Sequence, residues 1–293
     1  MSYFEHAEHL AINDTTLATI VKGEGPPVVF VHGGVSDMRT WSGQIDTFSD
    51  RFRVIAYSRR YSQPNSPIAP DVDDPIDVHI EDLLALIRKL ADGPAHVVGH
   101  SWGALITLLA AKSAPASFRS ITLIEPPAVS MFVSIPPTPI QMLKLFFTSP
   151  RLATAIAKLG GGALGPAEKA FRRGEDEKAI AHFGRGVLGS RYFAALSEER
   201  YQQVWDNHGP DRAQALHHSF PDLIGETFSD VSMPVLLVGG SDSPSVFGLL
   251  NNALAERLSD ADQCTLVGAS HIVHEDAPEA FNAALAKFLV TVG

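Results

Sequence analysis

Ser101 sits in Gly99-His100-Ser101-Trp102-Gly103, directly after the apolar run Ala95 to Val98 and directly before a helix-length segment, Trp102 to Lys112. A serine presented at a sharp strand-to-helix turn is suited to nucleophilic attack on a carbonyl. The turn forces strained backbone angles on the serine, and only small flanking residues such as Gly99 and Gly103 let strand and helix approach so closely. Its hydroxyl then lies at a helix N-terminus, where the dipole favours a developing anion.

Such a nucleophile needs a base, a group that orients the base, and N–H donors for the tetrahedral oxyanion. His271, in Gly268-Ala269-Ser270-His271, follows the last apolar run and precedes the helical segment Pro278 to Val290, which puts its loop at the same strand-end face as Ser101. It would take the proton from Ser101 and return it to the leaving group. His274, three residues on, is its rival. Two carboxylates compete to orient the histidine: Glu125, in Ile124-Glu125-Pro126-Pro127, and Asp242, in Gly239-Gly240-Ser241-Asp242-Ser243-Pro244.

The elements that position these groups are legible as alternation. Apolar runs at Val28 to Val31, Arg53 to Tyr57, Ala95 to Val98, Ser120 to Ile124, Val235 to Val238 and Gln263 to Val267 read as buried parallel strands. Helical spacing at Ile76 to Ala91, Trp102 to Lys112, Val246 to Leu258 and Pro278 to Val290 fills the intervals. The pattern predicts a doubly wound α/β sheet. His9 to Val21 reads as an antiparallel edge hairpin turning at Asn13-Asp14. The rhythm stops between Pro126 and Asp230, so residues 1–127 and 231–293 are expected to form the core domain and residues 128–230 a helical cap.

Composition bounds the rest. With 293 residues, 45% of them hydrophobic, the chain can bury a large core. A net charge of −10 without a Lys/Arg run argues against nucleic acid. The sole cysteine, Cys264, excludes an intrachain disulfide, and with no signal-like start the expected compartment is the cytoplasm. The most apolar long stretch, Ala128 to Phe147, is broken by Pro136, Pro137 and Pro139, so no membrane span is expected. His271, His274 and Glu275, or His6 and His9, do not match the metal-binding His-Glu-x-x-His pattern, and no metal or organic cofactor is expected.

Over nearly its whole length the sequence resembles the α/β-hydrolase superfamily. Val28-Val29-Phe30-Val31-His32-Gly33-Gly34 is similar to the family's strand and oxyanion loop, Gly99 to Gly103 to its nucleophile elbow, and Gly268 to His271 to its histidine loop. The resemblance implies a mostly parallel eight-stranded sheet with an inserted helical cap, Ser101 as nucleophile, His271 as base, and the backbone amides of Gly34 and Trp102 as oxyanion donors.

Most of the family carries its acid where Asp242 lies, but aligned from Pro234 the usual position falls on Ser243, so Asp242 sits one residue early. Glu125 ends the preceding strand, 24 residues after Ser101, a spacing similar to that of branches with the acid on that strand, such as haloalkane dehalogenases and zearalenone lactonases. A one-residue shift at a strand end redirects the side chain, which favours Glu125.

These features point to a serine hydrolase of small, largely apolar carboxylic esters or lactones. Cleavage of a carbon–carbon bond or an amide by the same triad is the alternative, and a non-catalytic ligand-binding protein on the fold is the rival from another class. Serine at 101 disfavours haloalkane dehalogenases and epoxide hydrolases, whose resemblance would require an aspartate. Three weaker signals remain. Gly160-Gly161-Gly162-Ala163-Leu164-Gly165 formally matches Gly-x-Gly-x-x-Gly but follows an apparent helix, Arg151 to Leu159, and reads as a flexible lid turn. Arg59-Arg60-Tyr61 could reach a substrate carboxylate, but solvated or ion-paired arginines are the favoured reading. Met131, Phe132, Met142, Phe146, Phe147, Tyr192, Phe193 and Trp205 supply apolar surface to roof a pocket, with most expected in ordinary core.

Overall fold

The computed structural model describes residues 3–69 and 71–292. Along the chain run β1 (Glu8–Ile12), β2 (Thr15–Lys22), β3 (Pro27–Val31), α1 (Ser42–Phe48), β4 (Arg53–Tyr57), α2 (Ile76–Leu90), β5 (Ala95–His100), α3 (Trp102–Ser113) and β6 (Phe118–Ile124). Then come α4 (Pro139–Thr148), α5 (Pro150–Leu159), α6 (Gly165–Arg172), α7 (Asp176–Leu188), α8 (Ser190–Ala194), α9 (Glu198–Asp206) and α10 (His208–His217). The sheet resumes with β7 (Val235–Gly240), α11 (Ser245–Ala255), β8 (Ala261–Leu266), α12 (Val273–Asp276) and α13 (Pro278–Thr291).

The eight strands form one sheet in the order β1-β2-β4-β3-β5-β6-β7-β8. Strands β3 to β8 run parallel to one another, whereas β2 runs antiparallel to both β1 and β4. Asn13, at φ 49, makes the tight connection between β1 and β2, a conformation its short polar side chain tolerates.

Side-chain alternation explains the two-faced core. Val29 and Val31 of β3 and Ile55 and Tyr57 of β4 pack on the side of α2 and α3, while Val28, Phe30, Val54 and Ala56 pack on the side of α1 and α13. Both faces are therefore buried, which is why these strands read as continuous apolar runs. Each buried Val, Leu or Phe contributes roughly 1.5–3 kcal/mol of transfer free energy, so the central strands form a stiff platform whose C-terminal ends carry the site.

The expected helix from Val246 to Leu258 ends at Ala255, and Val267, expected in the last strand, lies beyond it and is exposed. The Gly160 to Gly165 segment corrects the expectation of a flexible turn. It is a π-helical continuation, Gly160–Leu164, joining α5 to α6 without a break. Residues without side chains tolerate the wider helical winding, and Ala163 is buried against Gly186 of α7. Among the described residues, no helix is long and apolar enough to cross a membrane.

Candidate active site

Ser101 joins β5 to α3 with φ 49 and ψ −118, outside the regions that residues with a side chain normally occupy. Its amide donates to Ile124 O (2.8 Å), tying the turn to the end of β6. The flanking glycines are sterically required. A Cβ on Gly99 would fall 2.5 Å from Gly103 O, and one on Gly103 would fall 2.4 Å from His32 O. Close approach of strand, helix and neighbouring loop thus fixes the strained serine.

Glu125 is the first residue after β6 and also has positive φ, 46. Its amide donates to Val238 O (3.1 Å), and this kink turns the carboxylate inward, where it is fully buried. Oε1 accepts from the Gly240 amide (2.8 Å), and Oε2 accepts from Nδ1 of His271 (2.7 Å). Phe247 stacks on the imidazole at 4.0 Å between centroids. With Nδ1 committed to Glu125, Nε2 is the nitrogen left for proton exchange.

Asp242 is placed elsewhere. Its side chain is exposed and accepts from Tyr192 Oη (2.8 Å) and Ser241 Oγ (2.8 Å), bonds that hold its carboxyl below the usual range. Tyr192 also donates to Gly268 O (2.7 Å), so Asp242 belongs to a surface clasp between α8 and the histidine loop. His274 is likewise not at the nucleophile. Its Nε2 meets Thr40 Oγ1 at 2.9 Å, its ring stacks on Trp41, and burial pushes it down to about 4, leaving it neutral.

The loop after β3 carries Gly33 and Gly34, which line the floor of the site with Ser101 and Trp102. Arg59 underpins this loop. It is buried, donating from Nε to His32 O (3.1 Å) and from Nη2 to Gly33 O (2.9 Å), while its amide donates to His32 Nε2 (2.9 Å). Arg60 donates to both Asp82 oxygens (2.7 and 2.8 Å) and to Asp14 (2.8 Å). Neither arginine lines the cavity: Arg60 is ion-paired with Asp82 and Asp14, the outcome the sequence favours over a substrate contact, and Arg59 braces the loop with Nη1 left without a hydrogen-bond partner.

Two neighbours of the site carried no sequence signal of their own. His100 donates from Nε2 to His271 O (2.9 Å) and packs under Gly33, so the residue before Ser101 braces both the histidine loop and the glycine loop. Burial keeps it neutral. Asp211, on α10, accepts from the Val35 amide through Oδ2 (2.8 Å). Val35 has φ 42, and a Cβ on Gly34 would fall 2.2 Å from Asp211 Oδ1, so a larger residue there would displace the Asp211 carboxylate.

Above these groups lies a cavity of about 470 Å³. Its floor holds Gly34, Ser101, Trp102 and His271, and its walls are mostly apolar, with Val133, Met142, Ile156, Leu164, Phe183 and Phe193 from the helical region between β6 and β7. Of the aromatic and methionine residues expected to roof a pocket, Met142 and Phe193 line it, Met131 is in the core, and Phe146, Phe147 and Trp205 are exposed. Gly160 and Gly161 line it without binding a dinucleotide-type turn. Among the described residues, no group of three or more His, Cys, Asp or Glu is arranged to hold a metal ion.

The family model for the alpha/beta hydrolase fold matches residues 26–278. The chain belongs to that family. This alpha/beta hydrolase is 28% identical over 286 residues to a 2-(acetamidomethylene)succinate hydrolase of Mesorhizobium japonicum, covering 95% of this chain and 93% of that one. It is 24% identical to an (E)-2-((N-methylformamido)methylene)succinate hydrolase of Acinetobacter baylyi, covering 95% and 96% of the two chains. Among solved structures, the enol-lactonase of Burkholderia xenovorans superposes with a TM-score of 0.74 at 20% identity, covering 97% of this chain and all of that one, a likeness of fold.

Proposed function

We propose that this alpha/beta hydrolase cleaves a small, largely apolar carboxylic ester or lactone through an acyl-enzyme on Ser101. The observation that carries the reading is the hydrogen bond between His271 and the buried Glu125, beside a strained serine on the floor of an apolar cavity. In this reading His271 Nε2 takes the hydroxyl proton as Ser101 Oγ attacks the carbonyl carbon. Glu125 holds the imidazole in the tautomer with its proton on Nδ1 and stabilises the imidazolium that forms. The amides of Trp102 and Gly34 receive the oxyanion. The imidazolium then protonates the leaving oxygen, and water, activated by the same histidine, releases the acid and regenerates Ser101.

Residues 128–230 act as the lid that shapes the pocket over a core of residues 1–127 and 231–293. The mostly apolar walls favour uncharged substrates over the dicarboxylates named for the two relatives. Ser101→Ala should abolish turnover across a panel of short-chain esters and lactones, and a fluorophosphonate probe should label the wild type at Ser101. Unchanged turnover in that variant, or an unlabelled Ser101, would overturn the reading.

A further inference from the structure

The cavity contains one acid that the triad does not use and that has no ion-pair partner among the described residues. Glu168, which also lines the cavity, is paired with Arg172, whereas Asp211 spends Oδ2 on the Val35 amide and leaves Oδ1 without a hydrogen-bond donor. Oδ1 lies directly over Gly34, the residue whose amide is proposed to receive the carbonyl oxygen. Asp211 lines the same cavity as Gly34, Ser101 and Trp102, so a substrate seated on Ser101 shares that space with Oδ1.

Resting on the hydrolase reading above, we propose that Asp211 is a specificity-determining residue that accepts a hydrogen bond from a hydroxyl on the carbon next to the scissile carbonyl, so that the preferred substrates are 2-hydroxy esters or lactones. An acceptor set in apolar walls rewards a donor there, because in the unsubstituted ester the oxygen stays unpaired and desolvated. The groups facing Asp211 are the Val35 amide, Arg59 below the loop, Asp74 beyond it and His208 on its own helix. Burial pushes its carboxyl up to about 6, so at pH 7.5 the acceptor form predominates. A neutral hydroxyl suits this position better than an ammonium, since the Arg59 guanidinium already acts on the Asp211 carboxyl.

The test compares methyl butanoate with methyl 2-hydroxybutanoate by kcat/KM at pH 7.5. Wild type should prefer the hydroxy ester by roughly 10- to 100-fold. Asp211→Ala should erase that preference, losing more on the hydroxy ester than the loss both esters share from freeing the Val35 amide, while Asp211→Asn, which keeps an acceptor oxygen, should retain part of it. Equal losses on both esters in Asp211→Ala would mean that Asp211 only holds Val35, and would overturn the proposal, as would a wild type without preference. Calorimetric binding of butanamide and 2-hydroxybutanamide to Ser101→Ala reads the same contact without turnover. A preference in binding, combined with no hydrolysis of either ester by wild type, would overturn the hydrolase reading and leave the Asp211 contact standing.

Discussion

The Nδ1 nitrogen of His271 lies 2.7 Å from Oε2 of Glu125, across 146 positions of sequence, while Asp242 is turned to the surface and held by Tyr192. The difference arises at two strand ends. Glu125 leaves β6 with positive φ and points inward; Asp242 follows β7 by two residues and points out. Glu125→Gln should therefore lower kcat by roughly 10³- to 10⁴-fold, because the amide no longer favours the tautomer the base requires. Asp242→Asn should stay within about twofold of wild type. Steady-state kinetics on one ester decides between them, and a loss confined to Asp242→Asn would falsify the assignment.

Gly34 and Asp211 are in steric register. Gly34→Ala places a Cβ 2.2 Å from Asp211 Oδ1, so the Asp211 carboxylate must turn away, at the expense of its bond to the Val35 amide, or the glycine loop must shift. The expected result is a fall in kcat of roughly 10²-fold, the scale of losing one oxyanion donor. Asp211→Gly added to Gly34→Ala should recover part of that loss by emptying the space. If the double variant is as impaired as the product of the single losses, the two residues do not share the space.

Arg59 supports the loop from below with two donated hydrogen bonds. Replacing it with methionine keeps much of the apolar stem but leaves His32 O and Gly33 O without those donors. A kcat reduced about tenfold or more, with KM within about twofold, is the expected pattern for a group that positions oxyanion donors. A rise in KM alone would instead indicate direct contact with substrate.

Much of this architecture is readable from residue order because the central strands are buried on both faces. Arg53–Tyr57 and the Ser101 turn stand where apolar runs and glycines place them, since each is dictated by local sterics. Glu125 was accessible through register, because one residue at a strand end decides which way a carboxylate turns. Asp211 was not, as the Val35 contact spans 176 positions and joins a polar helix to a loop by tertiary packing alone. The bracing role of Arg59 was hidden for the same reason: an arginine after a strand end does not show which loop carbonyls it meets. The glycines at 160–165 read as a turn because propensity weighs against helix, and packing around Ala163 overrides it.

Asp211 also gives a stability signature with a defined sign. Its folded carboxyl is raised to about 6 from the ordinary aspartate value of about 3.9, first by burial, with the Val35 amide and Arg59 limiting the rise and Asp74 adding to it. Between those values the unfolded chain ionises while the folded one holds its proton. The folded state thus loses stability as pH rises from about 4 to about 6, and the penalty is constant above that window. Asp211→Asn removes the ionisation but keeps an acceptor for Val35. Its melting temperature should match wild type near pH 4 and exceed it by roughly 2–6 °C at pH 8, the upper end corresponding to about two pKa units. Differential scanning fluorimetry across that range is the measurement. A difference that does not change with pH would show that Asp211 carries the same charge in both states, and a lower melting temperature at pH 8 would show that its ionised form is stabilised by the fold.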